Sequence, residues 1–389
     1  MTDFISYSRD FDRVSRLVDE LRRHGMRVWR DQDALPSGGR TEDEIDTALR
    51  NCDAFLLWLG EETFASDYVW RRELPRAIVA QRERGLRIVP LFVDGSASTA
   101  IDQVRNITGY EIGDNNGHVR GSDDIGDYLT RVARAETSTW LARRADSGHR
   151  PVVRMVTRSD GAPARDSADL NFDWVSEYPA DGTLPDAATT TALQQALHAS
   201  IQALLRSFAV GVVDVQVRCH LHLGVAIGFE LRRVTGAVPH VLLDDDRWAC
   251  RVGDHNDTPL SASNTPGAAS AVTTALEISL TREVERDVSA YVAATDTRYR
   301  QRTRLAPRPG PSQSSVTAIN INAWADQAAD EIRRARSEPD ISAIDVFIAA
   351  PIGFAVALGW RLNAIGGIRL FHLEGNAGPY RDVWTLPAS

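Results

Sequence analysis

Arg218, His220 and His222 stand at alternate positions after the apolar run from residue 210 to 217. A guanidinium beside two imidazoles supplies donors for phosphate oxygens; a metal site is the lesser reading, because no third ligand stands near them. Trp248, Phe354 and Trp384 are the aromatic side chains placed to stack on a flat ring, although Trp and Phe at strand ends usually pack inward. In the first half the polar candidates fall at Ser6 to Arg9, Asp31 to Arg40, Gly60, and Ser66 to Glu73. Taken alone, Glu73 reads as an exposed helical glutamate beside Arg71 and Arg72, Tyr7 as core-facing, and Asp31 as a turn residue at a strand end. All 44 basic residues are arginine, so any phosphate contact comes from guanidinium forks, backbone amides or neutral donors, and Schiff-base and P-loop lysine chemistry are excluded.

The elements that must position these residues alternate between strand and helix. Asp3 to Tyr7 reads as a strand; Phe11, Val14, Leu17, Val18 and Leu21 then recur at helical spacing until Gly25. Met26 to Arg30 is a second strand. Thr41 and Glu44 form a capping box opening a helix, Ala54 to Leu59 is apolar throughout as a central parallel strand requires, and Leu86 to Val93 is a fourth strand. Between the last two, a helix from Asp67 to Arg84 contains Pro75, which predicts an irregularity. This is the pattern of a doubly wound parallel sheet, in which ligands sit beyond the carboxyl ends of the strands. From Gly95 to Gly148 the pattern weakens to polar and Gly-rich stretches with one helix from Ile125 to Arg144, which places a domain boundary near residue 145.

The second half carries an internal repeat. Leu223-Gly-Val-Ala-Ile-Gly228-Phe-Glu-Leu231, followed by Gly236 and a strand to Leu243, recurs without gaps as Phe354-Ala-Val-Ala-Leu-Gly359-Trp-Arg-Leu362, followed by Gly367 and a strand to Leu373. Each copy follows a helix and an apolar strand, so two Rossmann-like halves in tandem are expected, about 150–250 and 270–389. The Pro, Ser, Gly and Asn of residues 253–271 and 305–315 predict loops between them. The small residues opening each repeat helix suggest close backbone approach to a ligand at two facing sites: Arg218, His220 and His222 in the first copy, Pro351, Gly353 and Phe354 in the second. Neither glycine segment fits G-x-G-x-x-G in order, so a dinucleotide fingerprint is the weaker reading.

Composition narrows the function. The chain has 389 residues, 43% hydrophobic and 25% charged, which fits two or three folded units and excludes wholesale disorder. Net charge is −9, against a binder of DNA or RNA polymers through a basic face. Apolar runs fall short of the roughly 20 residues needed to cross a bilayer, and no secretory leader is legible, so a cytoplasmic protein without membrane contact is expected. Cys52, Cys219 and Cys250 are far apart in sequence and read as buried reduced thiols; no metal is expected.

Phe4-Ile5-Ser6-Tyr7-Ser8, the loop Asp33-Ala-Leu35-Pro36-Ser-Gly38, and Ser66-Asp-Tyr-Val-Trp70-Arg-Arg-Glu73-Leu74 occur in the order that resembles the TIR domain family. The resemblance covers about residues 1–140, within a domain expected over 1–145, and implies a flavodoxin-like fold with helices on both sides of the sheet. It implies that Glu73 is catalytic beside the ribose of NAD+, that Tyr7, Arg9, Asp31 and Trp70 line the nucleotide pocket, and that Leu35, Pro36 and Gly38 belong to a loop joining one TIR domain to the next. One departure is that Val69 holds the place, four before the glutamate, where the family often has an aromatic residue. Cleaving the bond between ribose and nicotinamide expels a ring that becomes neutral on leaving, so a single carboxylate suffices where ordinary glycosidases need two.

The tandem halves of residues 146–389 are similar to the CARF and SAVED sensors of cyclic oligonucleotides, and the whole arrangement resembles a TIR-SAVED effector of bacterial CBASS antiphage defence. That resemblance implies a cyclic oligonucleotide, expected to be a trinucleotide, bound by Arg218, His220, His222, Trp248, Pro351, Gly353, Phe354 and Trp384. It implies head-to-tail self-association on activation and cleavage of NAD+ as substrate, with no separate cofactor. Two alternatives stand: a TIR scaffold that recruits partners without catalysis, and a TIR enzyme making a cyclic ADP-ribose signal.

Overall fold

The computed structural model describes residues 3–30, 41–158, 168–179, 182–209, 211–243, 246–251, 259–308, 310–312, 316, 318–363, 365–375 and 378–387. The chain divides into two compact units, Met1–Trp140 with Arg165–Phe172, and Leu141–Ala164 with Asp173–Ser389.

In the first unit the elements are β1 (Asp3–Ser6), α1 (Phe11–Arg23), β2 (Val28–Trp29), α2 (Thr41–Asn51), β3 (Ala54–Leu59), α3 (Leu74–Arg84), β4 (Arg87–Phe92), α4 (Ala97–Thr108), β5 (His118–Val119) and α5 (Ile125–Ala145). The sheet is parallel throughout in the order β2-β1-β3-β4-β5, the doubly wound pattern expected from the strand and helix alternation, in the flavodoxin-like order that the TIR resemblance implies. All six residues of β3 are buried, as a strand covered on both faces must be. On one face Phe4, Phe55, Leu57 and Leu59 meet Val69, Trp70, Leu74 and Ala77. On α1 the buried stripe is Val14, Leu17, Val18 and Leu21.

The irregularity predicted from Pro75 takes a definite form. Residues Val69–Glu73 make a π turn before α3 begins. Pro75 has no N–H to give the carbonyl of Arg71 and its ring crowds that carbonyl, so the wider turn relieves both. Helix α4 was not legible in the sequence, since Ala97 to Thr108 is small and polar with only a few apolar residues; Ser96 starts it by accepting from the Thr99 N–H at 3.2 Å.

The second unit contains β6 (Val152–Val156), α6 (Ala187–Ser207), β7 (Val212–Arg218), α7 (Leu221–Glu230), β8 (Val238–Leu243), β9 (Asp246–Ala249), β10 (Ser261–Pro266), β11 (Thr273–Ser279), α8 (Glu285–Thr295), β12 (Gln301–Ala306), α9 (Ala318–Ser337), β13 (Ala343–Ala349), α10 (Ile352–Arg361), β14 (Ile368–Leu373) and β15 (Tyr380–Leu386). Two sheets follow, with β9-β8-β7-β6 in one and β10-β12-β11-β13-β14-β15 in the other. The core strands of each are parallel, and β9, β10 and β15 are antiparallel additions. Two α/β halves are thus present, each built on a central strand feeding a small-residue helix, β7 to α7 and β13 to α10.

One expectation needs correction here. Residues 261–266 form an edge strand rather than loop; the run is polar because its outer side chains face water, which removes the alternation that marks a half-buried strand. Gly228 and Gly359, which lie well inside the repeat helices, serve helix packing. A Cβ on Gly228 would stand 2.1 Å from the Val356 carbonyl oxygen, and one on its repeat mate Gly359 would stand 2.0 Å from that of Val225. The helices α7 and α10 therefore cross backbone to backbone at equivalent points, around a pseudo-twofold axis.

Candidate functional site

In the first unit Glu73 is buried, and its Oε2 accepts a 2.5 Å hydrogen bond from the Ser6 hydroxyl at the carboxyl end of β1. An exposed helical glutamate is therefore not what the fold makes of it. The π turn brings the side chain over the strand end, where a short donor holds it in one place. Trp70, three residues earlier, is committed to the core: its ring stacks on Phe64 at 5.6 Å and its indole N–H donates to the Thr63 carbonyl at 3.0 Å. Tyr68 is the aromatic that reaches the surface from this segment.

Tyr7 is half-buried and meets Phe11 edge-on at 5.8 Å, while Arg9 is exposed. Asp31, Leu35, Pro36 and Gly38 lie outside the described residues. A network that the sequence did not disclose ties the strand ends together. Asp10 accepts from the Trp58 indole at 2.8 Å and pairs with Arg13 at 2.6 Å; Arg13 also grips Asp94 with two bonds of 2.8 and 2.9 Å. The hydrogen bonds from Arg13 hold the Asp94 carboxyl below its usual range. Gly60 leaves the room: a Cβ there would lie 3.1 Å from Asp94 Oδ2 and 3.2 Å from the Trp58 indole nitrogen. The one signal for these residues is that Asp10, Gly60 and Asp94 each follow a predicted strand.

A hollow of about 490 Å³ in this unit lies elsewhere, along the outer edge of β4. There Glu136 is already paired with Arg87 at 2.6 Å and His118 at 2.9 Å, so its charge is answered within the fold.

In the second unit a pocket of about 360 Å³ opens at the carboxyl ends of β7 and β13, lined by Arg158, Val217, Arg218, Cys219, Leu221, Ala350 and Ile352. It sits at the N-termini of α7 and α10, whose cap residues His220 (φ −65°, ψ 147°) and Pro351 (φ −64°, ψ 151°) have nearly the same backbone conformation. Two helix N-termini and two arginines lining one pocket favour an anionic ligand. Symmetry holds for the backbone only. Arg218, His220 and His222 stand where the other copy has Ala349, Pro351 and Gly353, so the charge lies on the first half. Arg158 was missed, although it closely follows the end of β6 and the carboxyl-end rule points there.

The histidines do not alternate along a strand. His220 caps α7 and His222 lies in its first turn, yet their rings come within 5.8 Å, with His372 of β14 at 4.9 Å from the first and 5.6 Å from the second. His220 Nδ1 lies 2.8 Å from the Thr157 hydroxyl, and His222 Nε2 lies 3.1 Å from the Tyr178 hydroxyl. Burial, then the neighbouring His372 and Arg158, pushes His220 down to about 3; burial and Arg158 push His372 down to about 4. The trio is therefore neutral at ordinary pH. Among the described residues no group of His, Cys, Asp or Glu is arranged to hold a metal ion.

Of the remaining expected contacts, Phe354 is wholly buried and Trp384 nearly so, the latter 6.2 Å from the His222 ring, so neither presents a face for stacking. Gly353 is buried in the first turn of α10, and Trp248 is half-buried on β9. Cys52, Cys219 and Cys250 are free and buried, and burial raises the Cys219 thiol to about 12. No described helix is long and apolar enough to cross a membrane.

Residues 4–117 match the TIR domain family, and residues 192–386 match SAVED, the SMODS-associated and fused to various effectors sensor domain. No curated protein is similar enough to match. Among solved structures, the Cap4 SAVED/CARF-domain containing receptor of Acinetobacter baumannii with the cyclic trinucleotide 3'3'3'-cAAA is similar at 13% identity and a TM-score of 0.52, over 88% of this chain and 85% of that one. The same receptor with 2'3'3'-cAAA gives 13% identity and 0.53 over 89% and 84%. At that identity the likeness is one of fold. The match over residues 192–386 and the tandem α/β halves found there make this chain a member of the SAVED family, with a TIR domain ahead of the sensor domain.

Proposed function

We propose that the chain is a NAD+ glycohydrolase of antiviral defence, switched on when a cyclic oligonucleotide, expected to be a trinucleotide, binds its second unit and drives self-association of the TIR domains. The observation that carries the reading is the buried Glu73 carboxylate fixed by Ser6 at the carboxyl edge of a parallel sheet. In the reaction the bond from ribose C1' to the pyridinium nitrogen breaks and its electron pair neutralises the ring, so nicotinamide leaves without a proton. Glu73 stabilises the positive charge that builds on the ribose, or adds to it, and water completes ADP-ribose with release of one proton. A carboxylate held in place before substrate arrives costs no reorganisation at that step.

The pocket bearing Arg158 and Arg218 supports the sensing half of the reading, since its donors suit phosphodiesters and its helix ends suit anions. The similar Cap4 receptor was solved with cyclic trinucleotides, which favours the same ligand class here. An assembly-gated enzyme also accounts for restraint: weak contacts repeated across many copies become strong only when the ligand is present.

The test is nicotinamide release from NAD+ by the full chain and by Glu73→Gln, each with and without cyclic trinucleotide. Release by the wild type with ligand alone, lost in the variant, is expected. Equal behaviour of the two proteins would leave the scaffold reading, and chromatography showing a cyclic ADP-ribose isomer would replace hydrolysis by cyclisation.

A further inference from the structure

Phe11 opens α1 with 46% of its surface exposed, an unusual position for a large ring, and the ring meets Tyr7 edge-on at 5.8 Å. The chain reaches it through a tight turn in which the Asp10 N–H donates to the Ser8 carbonyl at 2.8 Å, with Arg9 between them at φ 58°. That is γ-turn spacing with a non-glycine residue in the left-handed region, a strained arrangement that persists only where the surroundings enforce it. The enforcement is visible: Asp10 is held by Trp58 from β3 and by Arg13, which is itself clamped to Asp94 beyond β4. The strained turn leaves an exposed arginine and an exposed aromatic residue two positions apart at the carboxyl edge of the sheet.

Their position relative to Glu73 follows from strand alternation. Trp58, which reaches Asp10, and Leu57 and Leu59, which pack with Val69 and Trp70, point to opposite faces of β3. The head of α1 therefore lies on one side of the sheet edge and the Glu73 turn on the other, with β1 between. A dinucleotide lying across that edge has its two bases on opposite sides.

We propose that Phe11 seats the adenine ring of NAD+, with Arg9 over the diphosphate, while the nicotinamide ribose lies at Glu73. This rests on the NAD+-cleaving reading above and adds the subsite that would make the site prefer a dinucleotide to a mononucleotide.

The experiment compares kcat/KM for NAD+ and for nicotinamide mononucleotide in the full chain activated by cyclic trinucleotide. Base stacking on an aromatic ring predicts that Phe11→Ala lowers the NAD+ to mononucleotide ratio about tenfold, while Phe11→Trp keeps it. Inhibition by AMP, measured alongside, should weaken in Phe11→Ala by a similar factor, and provides the readout if the mononucleotide is too poor a substrate. An unchanged ratio and unchanged AMP inhibition in a variant that still cleaves NAD+ overturn the adenine seat and leave the parent reading standing. Equal loss on both substrates with smaller particles by light scattering would make Phe11 a self-association contact and overturn the seat as well. A wild type that releases no nicotinamide removes both readings together.

Discussion

Ser6 and Glu73 are far apart in sequence, and the hydrogen bond between them is what distinguishes a buried, fixed carboxylate from a surface one. A hydrogen bond to a charged acceptor is worth about 1.5–3 kcal/mol, so Ser6→Ala should slow ligand-activated NAD+ cleavage by roughly ten- to a hundredfold. Because a buried carboxylate is left one donor short, the thermal midpoint should fall by a few degrees as well; a fall in midpoint with no fall in rate would assign Ser6 to stability alone. Arg158 and Arg218 show the same dependence on placement. Both are ordinary arginines in sequence, and the fold brings them to the lining of one pocket at two strand ends.

At the scale of elements, the crossing of α7 and α10 is the tightest constraint in the second unit. Adding a methyl group to Gly228 or Gly359 drives it into a backbone carbonyl that cannot yield as a side-chain tip would. Overpacking of this kind costs about 1–3 kcal/mol or more, and the mirrored geometry predicts similar losses for Gly228→Ala and Gly359→Ala in denaturant midpoint. A loss in one with none in the other would show that the pseudo-twofold axis does not govern stability. The π turn at Val69–Glu73 is a second case, since an unbroken α-helix through the same residues would rotate Glu73 relative to the preceding turn.

Across the second unit as a folded whole, the neutral histidine trio sets a response to acid. In an unfolded chain these imidazoles take up protons near pH 6.5, about the ordinary value. In the fold His220 does so only at about 3 and His372 at about 4, with His222 also held well below its ordinary value by burial. Between those limits the unfolded state binds more protons, so the contribution of the trio to stability is complete above pH 6.5 and declines as pH falls towards 3, by linkage. The thermal midpoint should therefore be lower near pH 5 than near pH 7.5, with a smaller drop in His372→Gln; equal drops would place the acid sensitivity in other groups.

The sequence by itself determined the parallel alternation of the first unit and the tandem halves of the second, because strand and helix periodicity and a gapless repeat are written in local order. It pointed to Glu73 and Arg218 as well. Only the tertiary structure decided what those residues touch: that Ser6 steadies Glu73, that Trp70, Phe354 and Trp384 turn inward, that the repeat glycines join two helices, that Arg158 lines one pocket with Arg218, and that His372 meets His220. The edge strand Ser261–Pro266 belongs with these, since its backbone pairing is nonlocal and its exposed side chains carry no pattern. Periodicity reports which face of an element is apolar, whereas partners across a sheet edge depend on crossings and registers that no local stretch of chain encodes.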